Sequence, residues 1–255
     1  MIISILKKIS LPLVLFTALY LTGCEEPTQE FGTQHTSDDI EFGNGFVNLW
    51  VEKDTDDSPY RLLALADDII LITPPEEETS VTLPWPDDID PIAPYRHFRF
   101  YYLPNGHGPS GLDVPQFKFR AYLIDEEERE DLKDADEQTR IETPDDQLLP
   151  EDFELLNRDD FPPVGSQWVN PNLNDLESNF QYAYAWGFND GELIYLETML
   201  SLEVLTQRPD GVLEIAQPNA VHSEGYYPFL SYISFSDGSN QFFMGMQEFG
   251  FRAGN

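Results

Sequence analysis

The strongest structural signal in this chain is a run of alternating aromatic residues in its C-terminal third. Residues 180–188 read FQYAYAWGF, with a ring at every second position: Phe180, Tyr182, Tyr184, Trp186 and Phe188. Alternate side chains of a β-strand point to the same face, whereas an α-helix would scatter these five rings around its axis. The run therefore predicts a strand with one aromatic face against a hydrophobic core.

The rest of the chain continues this pattern as short apolar runs separated by turn residues. The runs that predict strands are GFVNLWVE, RLLALA, DIILIT, SVTLP, RHFRFYYL, QFKFRAYLI, NFQYAYAWGF, ELIYLETMLSLEVL, VLEIAQ, YPFLSYISF and QFFMGMQEFGF. Residues 189–191 (NDG), 209–211 (PDG) and 237–238 (DG) separate such runs and tolerate the positive φ of hairpin loops. We therefore predict a mainly β fold with antiparallel strands, arranged as a β-sandwich or a jelly roll.

Two segments interrupt the strand pattern. Residues 74–94 contain six of the 20 prolines, and proline cannot donate to a β-ladder, so an extended loop or an edge crossing is expected there. Residues 125–160 hold 17 acidic residues against four basic ones, and we predict one short, solvated acidic helix at Glu126–Arg140. The folded part is expected to cover residues 41–255, and its division into two β domains near 125–160 stays open.

The N-terminus has the features of an export signal. Lys7 and Lys8 precede an apolar stretch, residues 9–21, which is shorter than the about 20 residues of a transmembrane helix. A basic segment, a short apolar segment and small residues before a cut are the parts of a secretory signal peptide. The residues that end this leader resemble the lipobox of bacterial lipoproteins: Leu21, Thr22, Gly23 and Cys24.

The resemblance implies that residues 1–23 are removed and that Cys24 carries covalent acyl chains such as palmitate. Cys24 is the only cysteine, and an unpaired thiol in an exported protein indicates modification. The protein is then anchored in the cell envelope, and Glu25 favours the outer membrane, because an aspartate there tends to retain lipoproteins in the inner membrane. Residues 24–40 are polar and predict a flexible tether. A secreted protein with a coincidental cysteine, or an N-terminal membrane helix, is the alternative.

The charge of the chain limits its partners. Without residues 1–23 the chain has 12 basic and 47 acidic residues, a net charge of −35. Such a surface repels nucleic acid, which we exclude as a partner. Solubility explains the charge, and divalent cation binding is the alternative. Asp54, Asp56 and Asp57 offer the oxygen ligands that calcium prefers, as does the cluster at 157–160, but neither fits the calcium-loop pattern.

No motif marks an active site, and we name no catalytic residue. Residues 106–111 (GHGPSG) match the dinucleotide fingerprint, but a strand-like segment follows where a helix is required, so we interpret them as a loop. The histidines, at positions 35, 97, 107 and 222, lack metal-ligand spacing. Five aromatic residues flank predicted loops and either bind a ligand or pack in the core: Tyr101, Tyr102, Trp168, Tyr226 and Tyr227.

The sequence favours a non-enzymatic binding module for a glycan or another envelope component, held at the outer membrane by the lipid on Cys24. No cofactor besides that lipid is expected, apart from the calcium alternative. A structural or assembly accessory protein that docks through residues 125–160 is the second hypothesis. A hydrolase has the least support, because it needs two carboxylates from distant strands to converge at about 5–10 Å.

Overall fold

The alternating aromatic segment forms a strand, as predicted, and its neighbours build two antiparallel sheets. The computed structural model describes residues 31–106, 112–132, 142–156, 165–170, 181–236 and 238–254. Every pairing between the described strands is antiparallel. The two sheets pack as a β-sandwich, which confirms the predicted mainly β fold.

The first sheet has the strand order β1-β3-β4-β14-β13-β12, and β2 also pairs with β3. Its strands are β1 (Phe31–Thr36), β2 (Ile40–Phe42), β3 (Gly45–Asp54), β4 (Pro59–Asp67), β12 (Gly211–Glu214), β13 (Gly225–Ser236) and β14 (Gln241–Arg252). The second sheet has the order β5-β6-β7-β11-β10-β9-β8. Its strands are β5 (Thr79–Leu83), β6 (His97–Leu103), β7 (Gln116–Tyr122), β8 (Glu154–Leu155), β9 (Ser166–Val169), β10 (Tyr182–Asn189) and β11 (Glu192–Ser201). The described helices are α1 (Ile69–Ile72), α2 (Glu126–Asp131) and α3 (Leu202–Thr206).

Aromatic side chains fill the space between the two sheets. Trp186 of β10 is fully buried and stacks on Tyr227 of β13, with ring centroids 6.4 Å apart. Phe117 of β7 meets Phe242 of β14 edge to face at 6.4 Å. Burying one large apolar side chain contributes about 1.5–3 kcal/mol. The aromatic face predicted from the alternation is therefore a major part of the core.

Strands that precede and follow residues 125–160 build the same two sheets. β7 and β11, which lie on either side of this stretch in the sequence, pair with each other, and Phe31–Asn255 forms one unit. Within the stretch, α2 covers the first six residues of the predicted acidic helix, and residues 133–141 lie outside the described ranges. None of the helices in the described ranges is long and apolar enough to cross a membrane.

The folded part begins ten residues before the predicted boundary. Phe31–Thr36, inside the predicted tether, forms β1 and pairs with β3. His35 binds the carboxylate of Asp88, with Nδ1 and Oδ2 2.7 Å apart, and this hydrogen bond lowers the pKa of Asp88. Backbone pairing needs no apolar side chains, and an edge strand is free to be polar, so the polar sequence concealed this strand. Residues 31–36 of the predicted tether therefore belong to the first sheet, and residues 24–30 lie outside the described ranges.

Parts of two apolar runs that predict strands form helices instead. The DIILIT run contains α1, whose two central residues are buried while Ile69 and Ile72 are exposed. The run that begins as β11 ends in α3, where the Ser201 side chain accepts a hydrogen bond from the backbone N–H of Val204. Short apolar runs do not distinguish a buried helical turn from a strand, so periodicity alone was insufficient here.

The turn signals were right at one site and wrong at another. Asp190 and Gly191 have φ of 52° and 72° and join β10 to β11 as a tight hairpin, as predicted. Residues 209–211 instead join α3 to β12, and the Asp210 carboxylate accepts a hydrogen bond from the backbone N–H of Phe235. This proline-containing turn therefore follows a helix, although the sequence around it predicts two strands.

Candidate functional site

The outer face of the second sheet carries a group of buried polar side chains, here called the ion cluster: Lys118, Arg120, Gln167 and Glu197. Each is at most 3% exposed. Strand alternation places them there, because Phe117 and Phe119 of β7 face the opposite sheet while the residues between and after them face outward. The register then sets Glu197 of β11 directly beside Arg120 of β7.

Glu197 is at the centre of the ion cluster. Its Oε2 accepts a hydrogen bond from Arg120 Nε at 2.6 Å, and its Oε1 accepts one from Gln167 Nε2 at 2.5 Å. Lys118 Nζ lies 3.5 Å from Oε1. The Arg120 guanidinium also lies over the ring of Tyr195, 4.0 Å from its centroid. Donors thus occupy both carboxylate oxygens, which is the arrangement that makes a buried charge tolerable.

Burial dominates the electrostatics around the ion cluster. Desolvation lowers the pKa of Lys118 to about 8, although the neighbouring Glu197 carboxylate opposes this shift. His97 stacks on Tyr122 with ring centroids 4.5 Å apart, and burial lowers its pKa to about 4. Burial raises the pKa of the Tyr195 phenol. Because the charged members have almost no contact with solvent, we assign the ion cluster to stabilising the fold.

Gly187, which lies between the aromatic residues Trp186 and Phe188, contributes to this same outer face. Gly187 of β10 pairs with Tyr195 of β11. The Tyr195 ring covers Gly187 so closely that a Cβ atom at position 187 would overlap it. A glycine is therefore required for Tyr195 to reach its place over Arg120.

A cleft of about 300 Å³ lies beside the short strand β12 and is the strongest candidate for a binding site. It is lined by residues of both sheets, of α3 and of the turn that follows α3. The lining includes two tyrosines, two glutamines and several aliphatic residues, among them Tyr182, Gln207, Val212, Tyr232 and Ile233. None of the lining residues is charged, in a chain with 47 acidic residues. Ligand sites are typically concave and mostly apolar with a few polar groups, as here.

Two other cavities differ from this cleft in their charge. One, of about 360 Å³, has Arg96 and Glu224 in its wall. The other, of about 250 Å³, is lined by Glu76, Glu77 and Glu78 together with the turn after β6. The uncharged lining is therefore a property of the cleft beside β12 and does not extend to these two cavities.

The residues predicted as calcium ligands build the turn between β3 and β4. Asp54 Oδ1 accepts hydrogen bonds from the backbone N–H groups of Asp56 and Ser58, each at 2.9 Å. Asp57 binds Lys53, with Oδ1 and Nζ 2.9 Å apart. Across the described ranges, no three His, Cys, Asp or Glu side chains come together as metal ligands. Calcium binding at this turn stays a prediction without further geometric support.

Three of the five aromatic candidates are core residues. Tyr102, Trp168 and Tyr227 are buried and belong to the main hydrophobic cluster. The Tyr101 hydroxyl is hydrogen-bonded to that of Tyr122 at 3.0 Å, beside the ion cluster. Tyr226 is half-buried and packs against the same hydrophobic cluster. The interpretation of these aromatic residues as core residues is thus confirmed for Tyr102, Trp168 and Tyr227.

The dinucleotide-like motif lies between β6 and β7, which pair antiparallel, and its interpretation as a loop stays a prediction. Gly106, with φ of 61°, begins this segment, and residues 107–111 lie outside the described ranges. The lipidation residue Cys24, the lipobox residues 21–23 and the acidic cluster at 157–160 also lie outside them.

A hydrolase would require a pair of carboxylates, and the two buried glutamates are far apart in the topology. Glu52 is on β3 of the first sheet and Glu197 is on β11 of the second. Each is already paired with a cation, Glu52 with Arg61 at 2.9 Å and Glu197 within the ion cluster. The described residues therefore offer no buried carboxylate pair for a glycosidase mechanism.

The sequence carries a signal for the ion cluster. Glu197 interrupts the apolar run ELIYLETML, and Lys118 and Arg120 alternate with aromatic residues on QFKFRAY. Charged residues are rarely buried unless paired, so charges at such positions indicate a buried ion pair. The cleft had no comparable signal, because its residues come from segments that are separate in the sequence.

Comparison of the chain with protein-family models, with curated proteins and with solved structures finds no match. Inferences about function therefore depend on the leader and on the cleft.

Proposed function

We propose that this chain is a lipid-anchored protein of the cell envelope that binds an uncharged ligand, a neutral glycan or a neutral envelope component, in the cleft beside β12. The resemblance of residues 21–24 to a lipobox supports the anchor. The uncharged lining supports the ligand class and is the observation that carries the proposal. Tyr182 offers a ring to stack on a sugar face, while Gln181 and Gln207 offer amides for its hydroxyl groups.

The anchor predicts that Cys24 is the site of acylation. We expect cells that express the wild-type chain to incorporate labelled palmitate into it, and the Cys24→Ser chain to incorporate none, because the acyl group is carried on the thiol. The measurement is label per chain after immunoprecipitation. Equal labelling of the two chains, or an unlabelled wild type, would contradict the anchor.

The cleft predicts that an added charge blocks binding. Val212 is 57% exposed on the edge strand β12, so Val212→Glu should fold normally while it places a carboxylate in the uncharged lining. We expect the affinity for a neutral glycan to fall at least about tenfold, since an uncompensated charge costs more than about 1.4 kcal/mol. The full chain in detergent would be screened on a glycan array and the best ligand titrated by calorimetry.

The matched control is Ile72→Glu, which adds the same charge at a 73% exposed position on α1. It should leave glycan affinity unchanged. Equal affinities in all three chains, or no neutral ligand at all, would remove the cleft as the site.

An assembly accessory is the second candidate, and the exposed side chains of Phe46, Ile69 and Ile72 favour it. Loss of a crosslinked envelope protein in Ile72→Glu alone would identify that function.

A further inference from the structure

One end of the first sheet brings together the start of the described chain and two exposed phenylalanines. Phe31 of β1 is level with Asp54 of β3, next to the turn at residues 54–58. The paired strands β13 and β14 reach this same end, where Gly225 is opposite Arg252. We call this region, made of Phe31, residues 54–58 and the ends of β13 and β14, the Phe31 end. Its two sides are in contact, since Ser58 Oγ lies 3.5 Å from the Tyr226 hydroxyl.

The Phe31 end exposes aromatic side chains to solvent. Phe251 is 61% exposed and Phe229 is 42% exposed. Phe251 meets the ring of Tyr226 edge to face, with centroids 5.5 Å apart. Phe229 lies over Gly250, where a Cβ atom would come within 2.6 Å of its ring. Consecutive strand residues point to opposite faces, so the rings of Phe229 and Phe251 flank this end of the β13–β14 pair from its two sides. Exposed apolar side chains on both sides of one strand end indicate an end that is covered in the working protein.

The position of Phe31 indicates what covers it. Cys24 precedes Phe31 by seven residues, a length that spans at most about 25 Å when fully extended. β1 is three strand spacings from β14 in the sheet order, or about 14 Å. Acyl chains on Cys24 would therefore hold the Phe31 end within reach of the bilayer.

The opposite end of the first sheet also exposes apolar side chains, so exposure alone does not distinguish the two ends. β4 runs from Pro59 at the Phe31 end to Asp67 at the far end, and α1 follows it there. Phe46, Ile69 and Ile72 are exposed at this far end. The two ends differ in their distance from Phe31. The far end is one strand length away from it, the length of β3 or β4.

We propose that the Phe31 end rests on the lipid bilayer, with Phe229 and Phe251 inserted between the headgroups. This inference rests on the proposed lipid anchor. Apolar side chains at a protein surface bind the membrane interface by burying their area among the acyl chain ends. Asp54, Asp56 and Asp57 are at the same end and repel anionic headgroups. The lipid surface that fits is therefore a zwitterionic one, such as phosphatidylcholine.

The test uses a single introduced cysteine in the full, lipidated chain. Because Cys24 is the only natural cysteine and is acylated in the proposal, Phe251→Cys or Phe229→Cys would be the only thiol that takes a nitroxide label. Ile72→Cys is the matched control at the far end. In phosphatidylcholine vesicles we expect collisions with a water-soluble nickel complex to be severalfold fewer at positions 251 and 229 than at 72. Collisions with dissolved oxygen should be more frequent at 251 and 229.

The outcomes separate the anchor from the orientation. Flotation of the chain with vesicles, lost in the Cys24→Ser variant, tests the anchor. If the chain floats and the labels at 251 and 72 are equally accessible to nickel, the orientation is wrong and the anchor stands. If the wild type fails to float, both are overturned. Replacing part of the phosphatidylcholine by phosphatidylglycerol should reduce the protection at 251, and greater protection would contradict the predicted preference for zwitterionic lipid.

Discussion

Replacing Glu197 by glutamine is expected to lower the free energy of unfolding by about 3–5 kcal/mol, because removing one partner leaves buried charges uncompensated. Glu197 is fully buried and binds Arg120, while Lys118 lies 3.5 Å away. Glutamine has nearly the same shape, so the loss would come from the missing charge and from the mismatch with three donors. Urea denaturation at pH 7, followed by circular dichroism, is the measurement.

Glu192→Gln is the matched control for that substitution. Glu192 is on the same strand, β11, but is exposed at the hairpin. Surface substitutions of this kind usually change stability by less than about 0.5 kcal/mol. If Glu197→Gln changed the free energy of unfolding as little as this control, the ion cluster would not stabilise the fold. Its burial on the outer face of the second sheet would then need another explanation.

Raising the pH above 10 is expected to unfold the protein over a narrow range. Burial raises the pKa of six tyrosines above the usual value near 10; the shift at Tyr102 is the smaller one, and it is large at the other five: Tyr95, Tyr101, Tyr184, Tyr195 and Tyr227. Above pH 10 the unfolded chain loses these phenolic protons while the folded chain keeps them, so the free energy of unfolding falls as pH rises. Each group contributes up to about 1.4 kcal/mol per pH unit, and five together contribute up to about 7.

Lys118 acts in the opposite direction and over a lower range. Its pKa in the folded chain is about 8, below the unfolded value, so the folded chain releases this proton first and its contribution to stability rises with pH. That contribution is complete by about pH 10.4, the ordinary lysine pKa. Above that pH the tyrosines alone determine the slope.

The alkaline prediction is checked by thermal melts and tyrosinate absorbance measured between pH 8 and 11. The buried tyrosines should ionise together with unfolding, in one steep step. Tyr195→Phe should reduce the slope above pH 10 by about one fifth, since it removes one of five such groups. Gradual ionisation of the buried tyrosines near pH 10 with the fold intact would show that these side chains are accessible to water.

The alternation at 180–188 predicted β10 because the direction of side chains along a strand is a local property of the backbone. The Asn189-Asp190-Gly191 turn was equally local, and its positive φ values are those that glycine and aspartate tolerate. β1 and α1 were not predicted, for related reasons. β1 is held by its partner strand β3, and α1 is decided by which two of its four residues meet the core.

By itself, the sequence determined the class of fold, the tight hairpin after β10 and the absence of a disulfide, since each depends on residue type and near neighbours. Only the tertiary structure decided which residues meet. Arg120 and Glu197 are 77 positions apart in the chain, and the cleft joins residues from 181 to 233. The contact between Arg120 and Glu197 depends on the register between strands that are distant in the sequence. The cleft depends on the four-residue length of β12. No local pattern encodes either quantity, because strand pairing within a sheet and the packing of the two sheets both join residues that are far apart in the chain.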